Sequence, residues 1–544
     1  MATNGHYDVI IIGSGAGGGT LAHALAGTGK RILLLERGTW LPREKENWDV
    51  REVFINERYH ATERWYDRHR KPFRPHTNYN VGGNTKVYGA ILFRFRERDF
   101  QQVQHYDGIS PAWPISYHDL APYYTRAEQL YVVHGQRGSD PTEPPSPDPY
   151  PWPAMSHEPR MQEVNEGLRR QGVRTFPLPV GIQLDEEHPE SSTCIRCNTF
   201  DGFPCLLNGK ADAATMCVIP ALRHPNVSLL TEAFVTRLRT DPSGRVVTAV
   251  DIQHPSGPMQ LSADIVVVAC GAVNTAALLL RSADADKHPN GLANSSDQVG
   301  RNYMCHNNTA AITVFRKPNP TRFARTIGIN DYYWGTEDFP HPMGHLSSGL
   351  KSQPEMLATA APSTKLPGVG LTLDYIAHHG VDWWATTEDL PMADNRVTLT
   401  PSGEIMLSYT PNNTEPHQRL LGKLKQLAER LDDGMTHFIP HDVYLAQRIP
   451  LAGVAHQGGT CRFGSDPATS VVDANCKAHD LDNLYVVDSS IFPSSSSVNP
   501  ALTIMANALR VGDHLRERLG AAPQHLEEPG QGRQPEVVQP AAAA

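Results

Sequence analysis

Two short stretches of this 544-residue chain hold residue types and spacings suited to chemistry. The stretch "VAHQGGTCRFG" (454–464) sets one histidine, His456, on a glycine-rich segment. Imidazole titrates near neutrality, so its neutral form can take a proton as a weak base. With 25 histidines in the chain, His456 alone identifies no reaction. The stretch "GSGAGGG" (13–19) is the second. Gly13, Gly15 and Gly18 stand at the spacing at which a tight turn, close approach to a pyrophosphate and close helix–strand packing are each needed.

The elements around those glycines agree with that chemistry. In "YDVIIIGSGAGGGTLAHALAGTGKRILLLERG" (7–38), a β-branched run (Val9–Ile12) precedes the glycines. An Ala/Leu-rich helix follows, then a second apolar strand (Ile32–Leu35) ending at Glu36. This is one βαβ unit with a dinucleotide fingerprint. The helix N-terminus would present free N–H groups to phosphates, and Glu36 would accept hydrogen bonds from a ribose.

Composition sets the outer bounds. A net charge of −9, with 40% hydrophobic and 20% charged residues, is that of a globular protein large enough for a sizeable core. It argues against a nucleic-acid surface, which needs a concentrated basic patch. The basic run "RHRKPFRPH" (68–76) contains two prolines and reads as a surface loop, one that could cover a site entrance. No apolar run reaches 18 residues, so no membrane helix is expected. The N-terminus lacks a basic n-region, and eight cysteines are sparse. Together these predict a cytoplasmic protein with free thiols.

Elsewhere the pattern is coarser. Residues 227–270 read as short strands with turns at Asp241–Gly244 and Pro255–Gly257. Residues 263–282 read as a buried strand, a small-residue turn and a helix, 395–411 as a hairpin, and 416–433 as an amphipathic helix. The Pro-rich 139–153 is irregular or extended, and the last 24 residues, from Ala521, read as a disordered tail.

Three further segments carry a resemblance: "NVGGNTKVYGAILFR" (80–94), "VGRNYMCHN" (299–307) and "LYVVDSSIFPSSSSVNPALTIMANALRVGDHL" (484–515). With the two stretches above, they resemble the glucose–methanol–choline family of flavoprotein oxidoreductases over residues 7 to 517. The segments "CIRCNTFDGFPC" (194–205), "GINDYYWG" (328–335), "TEDLPMADNRVTL" (387–399) and "YTPNN" (409–413) are similar to its bacterial pyranose-oxidase-like and (C-)glycoside 3-oxidase members.

The resemblance implies an α/β fold: a Rossmann-like FAD-binding domain (1–105, 220–305 and 445–520) and a second, sheet-containing substrate domain (106–219 and 306–444). FAD takes the place of NAD on the first βαβ unit. His456 matches the family's base and Asn499 its partner position, where the amide would orient the alcohol without titrating. Asn499 could equally cap a helix starting near Pro500. The cofactor contacts implied are Gly13, Ser14, Gly15, Gly18, Glu36, Arg37, Gly82, Gly83, Asn84, Gly89, Val235, Ala269, Gly271, Asp488, Pro500 and Thr503. The helix start at Pro500–Thr503 would stabilise negative charge on the reduced flavin. Val87 occupies the position of the histidine that links flavin covalently in fungal pyranose oxidases, so the FAD is expected to be non-covalent.

The implied reaction oxidises a secondary hydroxyl of a pyranose, C3 of a glycoside first and C2 of a free sugar next, with oxygen or a quinone as acceptor. No nucleic acid and no membrane partner is expected. A flavoprotein lyase and a partner-dependent electron-transfer subunit are the rival classes.

Cys194, Cys197, Cys205 and Cys217 fall within 24 residues. Four thiolates can hold zinc, but the second pair is not CxxC, and no metal is assigned. Cys461 could line the site or pack. His306 and Asn307 read as residues on the substrate side. Trp334, Trp383 and Trp384 could stack on a sugar face or belong to the core.

Overall fold

The computed structural model describes residues 5–360, 372–431, 437–440 and 451–522. All but the first two residues of the expected tail lie outside them.

The first βαβ unit forms where its spacing places it: β1 (His6–Ile12), α1 (Ala16–Ala26) and β2 (Ile32–Leu35). β1 is central. It pairs in parallel with β2, Ile12 opposite Leu35, and with the strand Met259–Val268, Ile12 opposite Val268. Val227–Leu230 extends the parallel run beyond β2, and Leu484–Val486 extends it beyond Met259–Val268. Phe234–Thr240 and Val247–Gln253 join as an antiparallel meander. The parallel strands are continuous apolar runs because helices cover both faces, and Val9, Ile10, Ile11 and Val266–Val268 are fully buried. All their C-terminal ends point the same way, so Gly13, Glu36 and Ala269 meet at one edge.

A second, antiparallel sheet has the order His437–Pro440, Asn307–Val314, Gly380–Thr387, His345–Ser348, Ile327–Ile329, Thr175–Pro177. One face packs on the helices Thr414–Glu429 and Pro159–Arg170 through Ala311, Val381, Trp383, Leu346, Leu424 and Leu168. Trp383 therefore belongs to the core, its indole N–H donating to Thr313 Oγ1 at 2.9 Å. The alternation of a strand turns the neighbouring residues to the other face. Asn308, Thr386 and His345 line up there as cross-strand partners, and Thr386 Oγ1 donates to Asn308 Oδ1 at 3.0 Å.

The hairpin expected at 395–411 is Arg396–Leu399 with Ile405–Ser408. The basic stretch 68–76 is the surface loop expected for most of its length, except that Pro72–Phe73 within it is a short strand. Trp65–Asp67 and Pro72–Phe73 form a hairpin, and Met406 pairs in parallel with Tyr66. The stretch is the tip of a small four-stranded sheet whose other half comes from the far end of the chain.

Candidate active site

The glycine loop and β2 build one side of the site. Gly13 has φ +101, and a Cβ there would overlap the Ala269 carbonyl. A Cβ on Gly15 or Gly271 would meet nothing within 4 Å, so both backbones face open space. Gly15 is the N-cap of α1, and no side chain caps the helix. The first-turn N–H groups and the positive helix end are thus presented to a ligand. Ser14 joins two loops: its Oγ accepts from Gly82 N at 3.1 Å and donates to Glu36 Oε2 at 2.5 Å. Glu36 also accepts from Ser14 N and Gly38 N, and its burial pushes its pKa up. Three of roughly four carboxylate acceptor positions are filled, which leaves one for a ligand hydroxyl. Gly83, also left-handed at φ +55, packs against Gly15.

The other expected cofactor residues are placed as follows. Asp488 ends its strand and collects three donors: Gly271 N at 2.9 Å, Thr275 Oγ1 at 2.6 Å and Ser490 N at 2.8 Å. It is a capping residue that fixes the left-handed Gly271 turn beside the cradle. Arg37 stacks on Tyr79 and Phe234. Asn84 closes its own turn by accepting from Asn78 N at 2.9 Å. Val235 is buried in the meander, opposite Ile252. A Cβ on Gly89 would meet the Arg325–Asp201 ion pair, so Gly89 leaves room for that pair. The last helix begins at Ala501, with Pro500 as N-cap and no side-chain cap bond. Thr503 turns its hydroxyl into the core, onto Tyr124 at 2.7 Å.

His456 is half-buried. Its segment is clamped by reciprocal backbone bonds between Met304 and Gly458 at 3.1 and 2.9 Å. Further bonds run from Cys461 N to Ser490 O and from Thr460 Oγ1 to Ala272 O. Cys461 is fully buried packing. Gly459 is left-handed, and a Cβ there would overlap the Asn302 carbonyl. The antiparallel bridge Met304–Gly458, continued two residues, sets His306 opposite His456. Their Nδ1 atoms are 3.0 Å apart.

The hydrogen bonds assign the protons. His306 Nε2 lies 3.1 Å from Ser495 O, a carbonyl that can only accept, so Nε2 carries the hydrogen. Burial lowers the His306 pKa, so the ring is neutral and its Nδ1 is bare. His456 Nδ1 must then be the donor of the 3.0 Å contact. Burial, with His306, Arg325 and His345 nearby, holds the His456 pKa well below the usual histidine range. Its Nε2 is therefore an unprotonated lone pair, and the Asn499 Nδ2 amide donates to it at 3.2 Å. Asn499 faces the base and does not cap the helix.

His345 is a residue that sequence reasoning missed. Asn330 Nδ2 donates to Asp140 Oδ2 at 2.8 Å, which leaves Asn330 Oδ1 to accept from His345 Nδ1 at 2.7 Å. His345 Nε2 is then also a bare acceptor. It is buried and has no hydrogen-bond partner among the described residues, and burial with Arg96 and Arg325 keeps the ring neutral. Asp389 and Glu388 were missed too. Asp389 accepts from Cys305 N, His306 N and Tyr409 Oη, and Glu388 from Ser110 Oγ, Ser495 N and Ser496 N. Burial pushes the Asp389 pKa up, whereas His105 and Ser110, working against burial, hold that of Glu388 down. Glu388 and Asp389 lie in the segment 387–399 that carries the resemblance, but no local motif marks His345.

A cavity of about 330 Å³ adjoins His306, lined among others by Asp67, Arg68, His69, Asn308 and Tyr409. Trp384 Nε1 donates to Asn308 Oδ1 beside it. Trp334 is partly buried against the core, with the Arg98 guanidinium over its ring. Cys194 lies near Cys197 and Cys205, whereas Cys217 packs against other residues. Cys217 is buried against Tyr131 Oη at 3.2 Å, and burial pushes the Cys194 and Cys217 thiols up to about 12. Among the described residues, Glu57, His60 and His76 bring ligand atoms within 4.8 Å, but Arg74 already donates to Glu57 at 2.6 Å.

A glycine cradle under an uncapped helix, together with a neutral histidine with a bare Nε2, defines a dinucleotide-cofactor oxidoreductase. The comparisons give its family. The N-terminal GMC oxidoreductase model matches residues 7–308 and the C-terminal one residues 391–508. The chain belongs to the GMC oxidoreductase family; it is a flavoenzyme, and FAD is its cofactor. The 6'''-hydroxyparomomycin C oxidase of Streptomyces lividus is 30% identical over 95% of this chain and 92% of its own. Paromamine 6'-oxidase of Streptomyces fradiae is 30% identical over 93% and 90%. Pyridoxine 4-oxidase superposes with a TM-score of 0.66 at 19% identity, over 94% of this chain and 99% of its own, and shares the fold. The described residues contain no helix long and apolar enough to cross a membrane.

Proposed function

We propose that this enzyme oxidises a secondary hydroxyl on a pyranose ring to the ketone, with C3 of a glycoside, C-glycosides included, as the preferred position. The observation that carries this reading is the bare Nε2 of His456, fixed by His306 on one side and met by Asn499 on the other. A substrate hydroxyl that displaces the Asn499 amide from Nε2 gives its proton to that lone pair. The amide is then free to donate to the substrate oxygen and hold it. Bound FAD supplies the two-electron acceptor for the hydrogen on the same carbon. Gly13, Ser14, Gly15 and Glu36 would hold its ADP part, and Asp488 and the helix start at Ala501 would flank it.

A sugar brings several hydroxyls, and the site has acceptors for more than one. His345 Nε2 is the second, on the polar sheet face with Asn308 and Thr386. Both aminoglycoside oxidases named above bear sugar-type substrates in their names, which supports the substrate class; the position in those names is 6, so the choice of C3 rests on the segment resemblance. We assign FAD binding to 1–105, 220–305 and 445–520 and substrate binding to 106–219 and 306–444. The flavin is held without a covalent bond, since Val87 stands where a linking histidine would. Acid precipitation is expected to leave the yellow colour in the supernatant.

Anaerobic mixing with a panel of free pyranoses, O- and C-glycosides and simple alcohols tests the reading, with NMR of the product. Flavin bleaching by glycosides and a 3-keto product are expected. Bleaching by aliphatic alcohols alone would reject a sugar substrate. Oxygen and a soluble quinone, offered to the reduced enzyme, identify the acceptor.

A further inference from the structure

His306 is buried and spends both ring nitrogens, Nδ1 on the base and Nε2 on the Ser495 carbonyl. Its backbone is left-handed at φ +64, a conformation that few side chains adopt and that histidine and asparagine tolerate best. The backbone leading into it is pinned: Cys305 N and His306 N donate to Asp389 at 3.0 and 2.8 Å. This costly arrangement aims Nδ1 at His456.

Charge is distributed unevenly along the pair. The groups around His456 are cationic or neutral: His306, Arg325 and His345. The groups around His306 include two acidic side chains, Asp389 and Glu388, both favouring a proton on it; Tyr409 donates to the first, and His105 beside the second helps hold Glu388 as carboxylate. A proton is therefore favoured on His306 over His456, because unlike charges at short range in a buried site interact strongly.

We propose that His306 is a second proton acceptor in line behind His456. The inference rests on His456 being the base. As the substrate O–H proton arrives at His456 Nε2, the proton on His456 Nδ1 passes to His306 Nδ1. His456 ends neutral as the Nε2–H tautomer. His306 ends as imidazolium, its Nε2–H still on Ser495 O and its charge opposite Asp389. The substrate loses one proton to this pair and a hydride for which bound FAD would be the acceptor, and becomes the carbonyl compound. The relay keeps positive charge from accumulating on the ring nearest Arg325. The cavity bordering His306 offers the proton a way out.

His306→Asn separates the relay from simple positioning. Asparagine tolerates the left-handed backbone, and its Oδ1 can accept from His456 Nδ1, but it cannot be protonated. The variant is expected to fold, to retain FAD and to bind substrate within a few-fold, while anaerobic flavin reduction slows about 10- to 100-fold. In mixed H2O/D2O the wild-type rate is expected to curve with deuterium fraction, two protons being in flight, and the variant's to be linear. His306→Ala opens space beside the cavity. Added imidazoles should restore its rate in order of their basicity. In the resting protein, 15N-histidine NMR should report His456 as Nδ1–H and His306 as Nε2–H. A linear wild-type dependence, an Asn variant at full rate, or rescue indifferent to basicity would each overturn the relay while leaving His456 as base. Unimpaired reduction by His456→Ala would instead overturn the base itself.

Discussion

The amide of Asn499 and the ring of His456 meet at 3.2 Å, Nδ2 to Nε2, across 43 residues of sequence. The contact marks the one ring nitrogen left without a proton. Replacing His456 by Ala removes that lone pair and leaves the glycine cradle untouched. Flavin content is expected to hold while anaerobic reduction by substrate slows about 10²–10⁴-fold, the range of a lost general base. Stopped-flow absorbance measures both. Reduction within a few-fold of wild type sinks the role.

The pH profile follows from the same surroundings. A general base works when unprotonated, so its rate falls as pH drops through its pKa. Burial first, then His306, Arg325 and His345, move the His456 pKa well below 6.5. The acid limb of the reduction rate is expected clearly below pH 6.5, with a flat profile from pH 8 through 6.5. Arg325→Gln removes one repelling charge and should move the limb upward. A wild-type limb at or above 6.5 would contradict the assignment. The titration is to be read with Asp389 and Glu388 in mind, since both face His306.

The sequence made the first βαβ unit legible because its signals are local: a β-branched run, three glycines, an Ala-rich helix and an acidic strand end lie within 38 residues. Asn499 and His456 were legible only through their motifs, since nothing in composition pairs them. His306 was marked as a residue near the substrate but not as a partner, because its meeting with His456 depends on the register of one antiparallel bridge, Met304 to Gly458. His345 sits in a four-residue strand, and its bare Nε2 depends on an amide orientation fixed by Asp140. The two-residue strand Pro72–Phe73 inside the basic stretch went unread because the sheet that steadies it takes its other strands, Arg396–Leu399 and Ile405–Ser408, from far along the chain. Long-range pairing, rather than weak local signal, separates what was readable from what was not.

Two neighbouring glycines make opposite predictions. Gly13→Ala puts a Cβ into the Ala269 carbonyl on a left-handed backbone, so the protein itself should suffer, with a lower melting temperature even after flavin is stripped. Gly15 has φ −72 and empty space before it, so Gly15→Ala should leave the apoprotein as stable as wild type. Its methyl group would stand where the cofactor phosphates approach. Equilibrium dialysis should show FAD affinity falling at least tenfold for Gly15→Ala. Equal FAD affinity for Gly15→Ala and wild type would place the pyrophosphate elsewhere.

His345 offers a final test of how the substrate is held. Its Nε2 is a buried acceptor with no partner among the described residues, and an unmet buried acceptor costs about 1–3 kcal/mol until a donor arrives. A sugar hydroxyl is such a donor. His345→Leu removes this acceptor but also the Nδ1–H that buried Asn330 Oδ1 accepts, so the two effects oppose each other and the net change in stability should stay within about 1–3 kcal/mol. Substrate binding loses the hydrogen bond, and KM for the best glycoside should rise about 5- to 100-fold, with a smaller change in the reduction rate at saturation. A deoxy-sugar series locates the partner: the analogue that lacks the hydroxyl bound by His345 should bind wild type and the Leu variant alike. If every deoxy analogue loses affinity in the Leu variant as the parent sugar does, His345 supports the sheet and does not touch the substrate.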